Sequence, residues 1–272
     1  MTTMQKVIKY LAIALAVGLI VAIVGGVCSV LAAITGIASW NHRDQSGESA
    51  GTAFSGTISS EVTKLQMEVG AARIWIKTGD ELYVETNNPY ITVADRNGTL
   101  YIQEESHIAD LDDSSLTIYI PEDMVFDQVD MTTGAGLIDL EQLSCQKLEL
   151  ELGAGKAEFQ KLTVTGKADI EGGAGQFILH NGQLHNLDFE MGVGEGDIVT
   201  SLTGSADIAS GIGALYLTVL GNADNFTVYA ESGLGRVEVD NRSISGEAVI
   251  GSGPNRLEIE GGIGNITVDF EG

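Results

Sequence analysis

The sequence predicts an all-β protein, a parallel β-solenoid of about two strands per 19–20-residue coil, preceded by one N-terminal transmembrane helix. Three observations predict it. Gly-x-Gly triplets start at Gly134, Gly153, Gly173, Gly192, Gly211, Gly233, Gly251 and Gly262, at intervals of 19, 20, 19, 19, 22, 18 and 11 residues. Apolar side chains stand at fixed offsets from those triplets, and residues 11–38 are uncharged.

The N-terminal element comes first in the chain. Lys6 and Lys9 precede the run from Leu11 to Ala38, and residues 1–40 contain no Asp or Glu. As a helix the run measures roughly 42 Å at 1.5 Å per residue, against a hydrocarbon core of about 30 Å, so it spans with tilt. It exceeds the 7–15-residue apolar core of a cleavable signal peptide, although Gly36-Ile37-Ala38 has the small residues of a cleavage site. Lysines before the run keep that end cytoplasmic and place everything beyond about residue 41 outside. The expected location is thus the cell membrane, single-pass, with the C-terminal part extracytoplasmic.

Residues 41–60 read as a flexible stalk, from the Gly/Ser content of "DQSGESAGTAFSG". Residues 61–125 have a looser rhythm. "LQMEVGAARIWIKT", "ELYVET", "TLYIQEE" and "LTIYIPED" read as strands, with turns at Thr78-Gly79-Asp80, Asn87-Asn88-Pro89 and Asn97-Gly98. This segment is expected to form an irregular cap and the first coils.

Residues 126–272 carry the regular repeat. Four places after the second glycine of each triplet stand Leu140, Phe159, Leu179, Ile198, Leu217, Val239, Leu257 and Val268, all apolar. Two places after it, Gly196 and Asn255 are the exceptions to an apolar rule. Three places before the first glycine stand Met131, Leu150, Ile170, Phe189, Ile208, Ala230, Ala248 and Ile259. Each unit thus has two strands with one apolar face each, joined at a glycine hinge. One unit cannot bury such faces, whereas stacked units make a continuous core. The general crossover rule favours a right-handed coil, and a barrel of short hairpins is the competing architecture. The final interval of 11 predicts a last unit that has lost a strand.

Composition narrows the function. Lys+Arg number 14 against 38 Asp+Glu, a formal charge of −24, which argues against nucleic acid and favours cationic partners or metal ions. Cys28 and Cys145 are too few for a disulfide framework, and no acid–base group accompanies Cys145 to activate it. None of the triplets has the third glycine, three residues on, that a dinucleotide-binding fingerprint needs. His180 and His185 flank a turn and read as surface histidines rather than metal ligands.

The carboxylates are ordered. Four places before each first glycine stand Asp130, Glu149, Asp169, Asp188, Asp207, Tyr229, Glu247 and Glu258. Two places before it stand Glu151, Glu171, Glu190, Glu231 and Glu260 in five of the eight units. Stacking turns these into two acidic columns on one outward face, with no column of Lys or Arg expected to compensate them. Like charges about 4.8 Å apart repel by about 0.9 kcal/mol even in bulk water. One reading is a solvated face that keeps the sheet soluble. The other is a cation-binding face over Glu149, Glu151, Asp169, Glu171, Asp188, Glu190 and Asp207, taking calcium or a cationic peptide or protein. No catalytic residue and no obligate cofactor is expected.

The stretch "SLTIYIPEDMVFDQVDMTTGAGLIDL" (115–140), a strand ending in Ile-Pro, an apolar link and a strand entering Gly-x-Gly, resembles the bacterial "putative adhesin" β-strand-repeat family. The later repeats and the ending "GGIGNITVDF" are similar too, so the resemblance covers about residues 55–272. It implies a β-helical extracytoplasmic domain, often membrane-anchored, without established catalytic residues, and in some bacteria associated with envelope-stress regulators. The expected function is therefore a non-catalytic binding, adhesion-like or stress-sensing module. The alternative is a carbohydrate-active β-helix enzyme, for which Arg236 and Arg256 are the candidate basic residues near the repeats.

Overall fold

The computed structural model describes residues 54–59, 61–105 and 114–272. The expected membrane segment and most of the expected stalk lie outside the described residues, among which no helix is long and apolar enough to cross a membrane.

The described chain is nearly all β, with one 3-10 turn at Ala223–Asn225. The strands are β1 (Phe54–Thr57), β2 (Lys64–Gly79), β3 (Tyr83–Thr86), β4 (Ile91–Arg96), β5 (Thr99–Glu104), β6 (Ser115–Pro121) and β7 (Phe126–Leu140). They continue as β8 (Leu143–Phe159), β9 (Leu162–Leu220), β10 (Phe226–Glu231), β11 (Arg236–Val239), β12 (Arg242–Ile244), β13 (Glu247–Gly251) and β14 (Asn255–Glu271). β9 is one extended run that turns through three glycine corners.

The coils stack parallel and in register. Leu140 pairs with Phe159 and Phe159 with Leu179, while Met131 pairs with Leu150 and Leu150 with Ile170. All eight residues four places after the triplets are buried. Apolar positions recurring at one offset thus become one column, as a solenoid-like core requires. The expected two strands per coil are joined by a third short side. Leu143 and Cys145 pair with Leu162 and Val164, all buried, and a register shift between Cys145 and Lys147 separates this side from the next. Gly196, an inward exception, leaves room for Leu215 on the next coil, whose Cδ1 would lie 2.4 Å from a Cβ at that position.

The corners explain the recurring glycines. At Gly194 the backbone has φ +147°, and a Cβ there would lie 1.8 Å from the carbonyl oxygen of Gly175 one coil away. At the glycine positions successive corners approach too closely for any side chain, so the period of the glycines is the period of the stack.

Spatial order departs from chain order at both ends. β2 lies between β7 on one side and the coil made by β5 and β6 on the other, so residues 81–121 double back past it. β2 is a regular coil with Gly70-Ala71-Ala72 at its corner. There the Glu104 carboxylate accepts hydrogen bonds from the amides of Gly70 (2.7 Å) and Ala71 (3.1 Å), capping the corner on the side away from Gly134. β4, absent from the expected strands, pairs with β5 across Asn97-Gly98, and Phe54–Thr57, expected in the stalk, is an edge strand on β3.

At the other end β14 inserts between the last coil of β9 and the pair β10–β11. This corrects the expected loss of a strand, since β14 carries both sides of a coil, Ile259 pairing with Ile208 and Val268 with Leu217. The short interval arises because Gly251-Ser252-Gly253 is no corner. It ends β13, which runs antiparallel to β10, and this is why Ala248 is only half-buried where its counterparts are buried. Asn255, the other inward exception, opens β14, where its Oδ1 accepts from the Gly204 amide (3.0 Å) and its Nδ2 donates to the Asn225 carbonyl (3.1 Å).

Candidate functional site

Alternation along each strand turns outward every residue at even offset before the corner. Stacking then builds the expected columns. Asp130 pairs with Glu149, Glu149 with Asp169, Glu258 with Asp207 and Tyr229 with Glu258. Asp188 completes the run between Asp169 and Asp207, both of which act on it electrostatically. In the second column Glu151 pairs with Glu171, Glu171 feels Glu190, and Glu231 pairs with Glu260. Glu247 belongs here rather than in the first column, because antiparallel β13 sets it against Glu231. All seven residues of the expected cation-binding set therefore lie on one outward face, half-buried or exposed.

The face is not uniformly anionic, which corrects one expectation. A third outward column, six places before the corners, contains Lys64, Gln128, Lys147 and Lys167 in successive register, and Arg256 further along. Lys167 forms an ion pair with Asp169 at 2.7 Å, and Arg256 pairs with Glu258 while lying over the Tyr229 ring at 4.2 Å. The cations were legible in the sequence one step beyond the offsets that mark the carboxylates.

Partial burial first, and neighbouring carboxylates second, raise the pKa values of Glu149, Glu171, Asp188 and Glu190. For Glu149 the neighbours are Asp130, Glu151 and Asp169, opposed by Lys167. A carboxylate whose folded pKa exceeds its unfolded value binds its proton more tightly in the fold, so stability falls as pH rises through that window. These four groups start from 4.5 for Glu and 3.8 for Asp, and their effect lies just above those values. Glu158, elsewhere on the surface, acts oppositely. Hydrogen bonds from Lys156 (2.7 Å) and His180 (3.0 Å) hold it down to about 2, so its stabilisation disappears below pH 4.5. Thermal unfolding is therefore expected to show a midpoint that rises from pH 7.5 to pH 5 and falls again below about pH 4. A midpoint decreasing steadily from pH 7.5 to pH 5 would contradict the repulsion.

No three His, Cys, Asp or Glu side chains among the described residues converge on a point that could hold a metal ion. The columns are ladders of neighbours rather than a chelating pocket. His185 Nδ1 lies 2.9 Å from Thr203 Oγ1, and His180 is the partner of Glu158. Cys145 is buried, and desolvation pushes its thiol up to about 12, which leaves it protonated and shielded. Arg236 and Arg256 stand on different strands, β11 and β14.

The sequence profile of a family described as Toastrack DUF4097 matches residues 62–262. No curated protein matches the chain. Among solved structures, a protein of Clostridium sporogenes ATCC 15579 described as a "putative cell adhesion protein" is 16% identical over 81% of this chain and 99% of its own, with a TM-score of 0.36. A "putative adhesin" from Bacteroides fragilis NCTC 9343 is 16% identical over 80% of this chain and 96% of its own, with a TM-score of 0.36. Another from Parabacteroides distasonis ATCC 8503 is 15% identical over 81% and 98%, with a TM-score of 0.37.

Proposed function

The chain belongs to the Toastrack DUF4097 family, and from that premise we propose that it is a non-catalytic binding module whose acidic face recruits cationic partners at the outer surface of a cell membrane. Residues 11–38 supply the tether and the lysines before them its orientation. One observation carries the reading: two adjacent carboxylate columns run along the same face, and four of their members have pKa values raised by burial and by one another. A partner that brings positive charge relieves a repulsion built into the folded state. A polycation, which bridges many rungs, suits these ladders better than a single ion held by a closed ligand set. Calcium remains within this reading as a diffuse counter-ion.

Hexalysine tests it. Titrated at low ionic strength, the peptide is expected to bind and raise the thermal midpoint, both effects fading as salt screens the face. The variant Glu149→Gln/Glu171→Gln/Asp188→Asn/Glu190→Gln should melt higher than the parent without peptide and gain less from it. Absence of binding at low salt, or an undiminished response in the variant, refutes the acidic face as the recruiting surface.

A further inference from the structure

The middle residues of the glycine triplets form a column of their own along the corner. Ala71, Ala135, Ala154 and Ala174 occupy it in one half of the stack, in register. In the other half it carries Val193, Ile212, Ile263 and Leu234, which are 51, 50, 54 and 63% exposed. Ile263 pairs with Ile212, and the Leu234 amide donates to the Gly262 carbonyl at 2.9 Å, so these side chains stand on neighbouring rungs. At that exposure a threonine would satisfy strand preference while exposing less hydrocarbon. A row of large aliphatic side chains held in water instead marks an interaction surface.

We propose that this ridge of Val193, Ile212, Ile263 and Leu234 is the docking line for a basic amphipathic helix of a partner protein. The inference rests on the acidic-face reading and names the partner that face receives. Spacing selects a helix. Rungs lie about 4.8 Å apart, whereas alternate side chains of an extended peptide recur every 6.5–7 Å. A helix laid along the ridge presents apolar residues at i, i+3/i+4 and i+7, advancing about 5.4 Å per turn. Over three gaps, rungs and turns diverge by only about 2 Å, within side-chain reach.

Charge selects the sign of the helix. Three residues before the ridge, on the same rungs, stand Glu190, Glu260 and Glu231, with Ala209 on the fourth. Glu195 adds a carboxylate on the other margin, where Arg236 beside Leu234 is the opposing cation. Lysines or arginines flanking the apolar stripe of the helix reach these carboxylates. A second copy of this chain would bring its own glutamates against them, and an anionic lipid surface would be repelled.

The test uses the full chain in phosphatidylcholine nanodiscs, with empty nanodiscs as the blank. Its probes are a roughly 18-residue Leu/Lys peptide with all leucines on one helical face, a scrambled peptide of the same composition, and hexalysine. The amphipathic peptide is expected to bind about tenfold more tightly than the scrambled one and to become helical by circular dichroism. The variant Val193→Thr/Ile212→Thr/Ile263→Thr, which keeps branched side chains, should lose that advantage yet bind hexalysine as before. Should the triple variant not fold, Ile212→Thr alone should lose roughly threefold. Equal affinity for the two Leu/Lys peptides, or an advantage surviving in the variants, overturns the docking line while leaving the acidic face intact. Loss of hexalysine binding in the parent instead overturns the acidic face. A dimer of the free protein that disperses in the threonine variant assigns the ridge to self-association and also overturns the proposal.

Discussion

Gly194→Ala is expected to destabilise the protein by about 3–5 kcal/mol, whereas Gly221→Ala should cost only about 1–2 kcal/mol. Both glycines have φ +147°, so both substitutions force a side chain into backbone angles it rarely adopts. They differ in surroundings. Nothing lies within 4 Å of a Cβ built on Gly221, while one on Gly194 meets the Gly175 oxygen at 1.8 Å and the Gly175 carbonyl carbon at 2.8 Å. Those atoms are backbone and held in the parallel ladder, so relief requires two coils to part. The difference between the two variants isolates the steric part from the conformational part. Urea denaturation measures it, and hydrogen exchange should show amides around Gly175, Gly194 and Gly213 losing protection first. Equal destabilisation by both substitutions would mean that backbone angle alone, and not close approach of the corners, explains the recurring glycine.

The same corners show how far the sequence could be read. A period of about 20 residues translates directly into columns, because each coil offers its neighbour the same offsets. Leu140, Phe159 and Leu179 were therefore legible as one inward column, and Glu149 and Asp169 as one outward column. Periodicity does not state which coil lies on which. Coils with the same pattern are interchangeable partners, so nothing in the letters places β14 against the last coil of β9 rather than against β10's far side. Nor does a triplet announce whether it turns a coil or ends a hairpin. Gly251-Ser252-Gly253 has the spacing of a corner, but the antiparallel pairing of β13 with β10 gives it another role. The column of Lys64, Lys147, Lys167 and Arg256 was present in the sequence, six places before Gly70 and three of the corner glycines, and lay beyond the offsets that defined the apolar faces. The aliphatic ridge was present too, at the middle position of four triplets, which the spacing of the glycines does not constrain.

Phe177→Ala is the second large effect, expected at about 3–5 kcal/mol, because the bore of this coil is narrow and its aromatic rings fill it. Phe177 is 1% exposed, and its ring lies 5.4 Å from those of both Phe159 and Phe189. It therefore joins two sides of the stack as well as successive coils. Volume is traded between rungs, since Ala157 pairs directly with Phe177 just as Gly196 makes room for Leu215. That trade predicts coupling. Ala157→Leu introduced alone should overpack the core by about 1–3 kcal/mol, yet combined with Phe177→Ala it should recover part of the loss, giving a non-additive cycle. The consequence reaches the acidic face, because Asp169, Glu171, Asp188 and Glu190 ride on the strands whose inward residues include Ile170 and Phe189. If the core sets the spacing of the columns, Phe177→Ala should weaken hexalysine binding and flatten the rise in thermal midpoint between pH 7.5 and pH 5. Retention of both responses in a destabilised variant would show that the carboxylates repel one another by strand register alone, with no contribution from the packing beneath them.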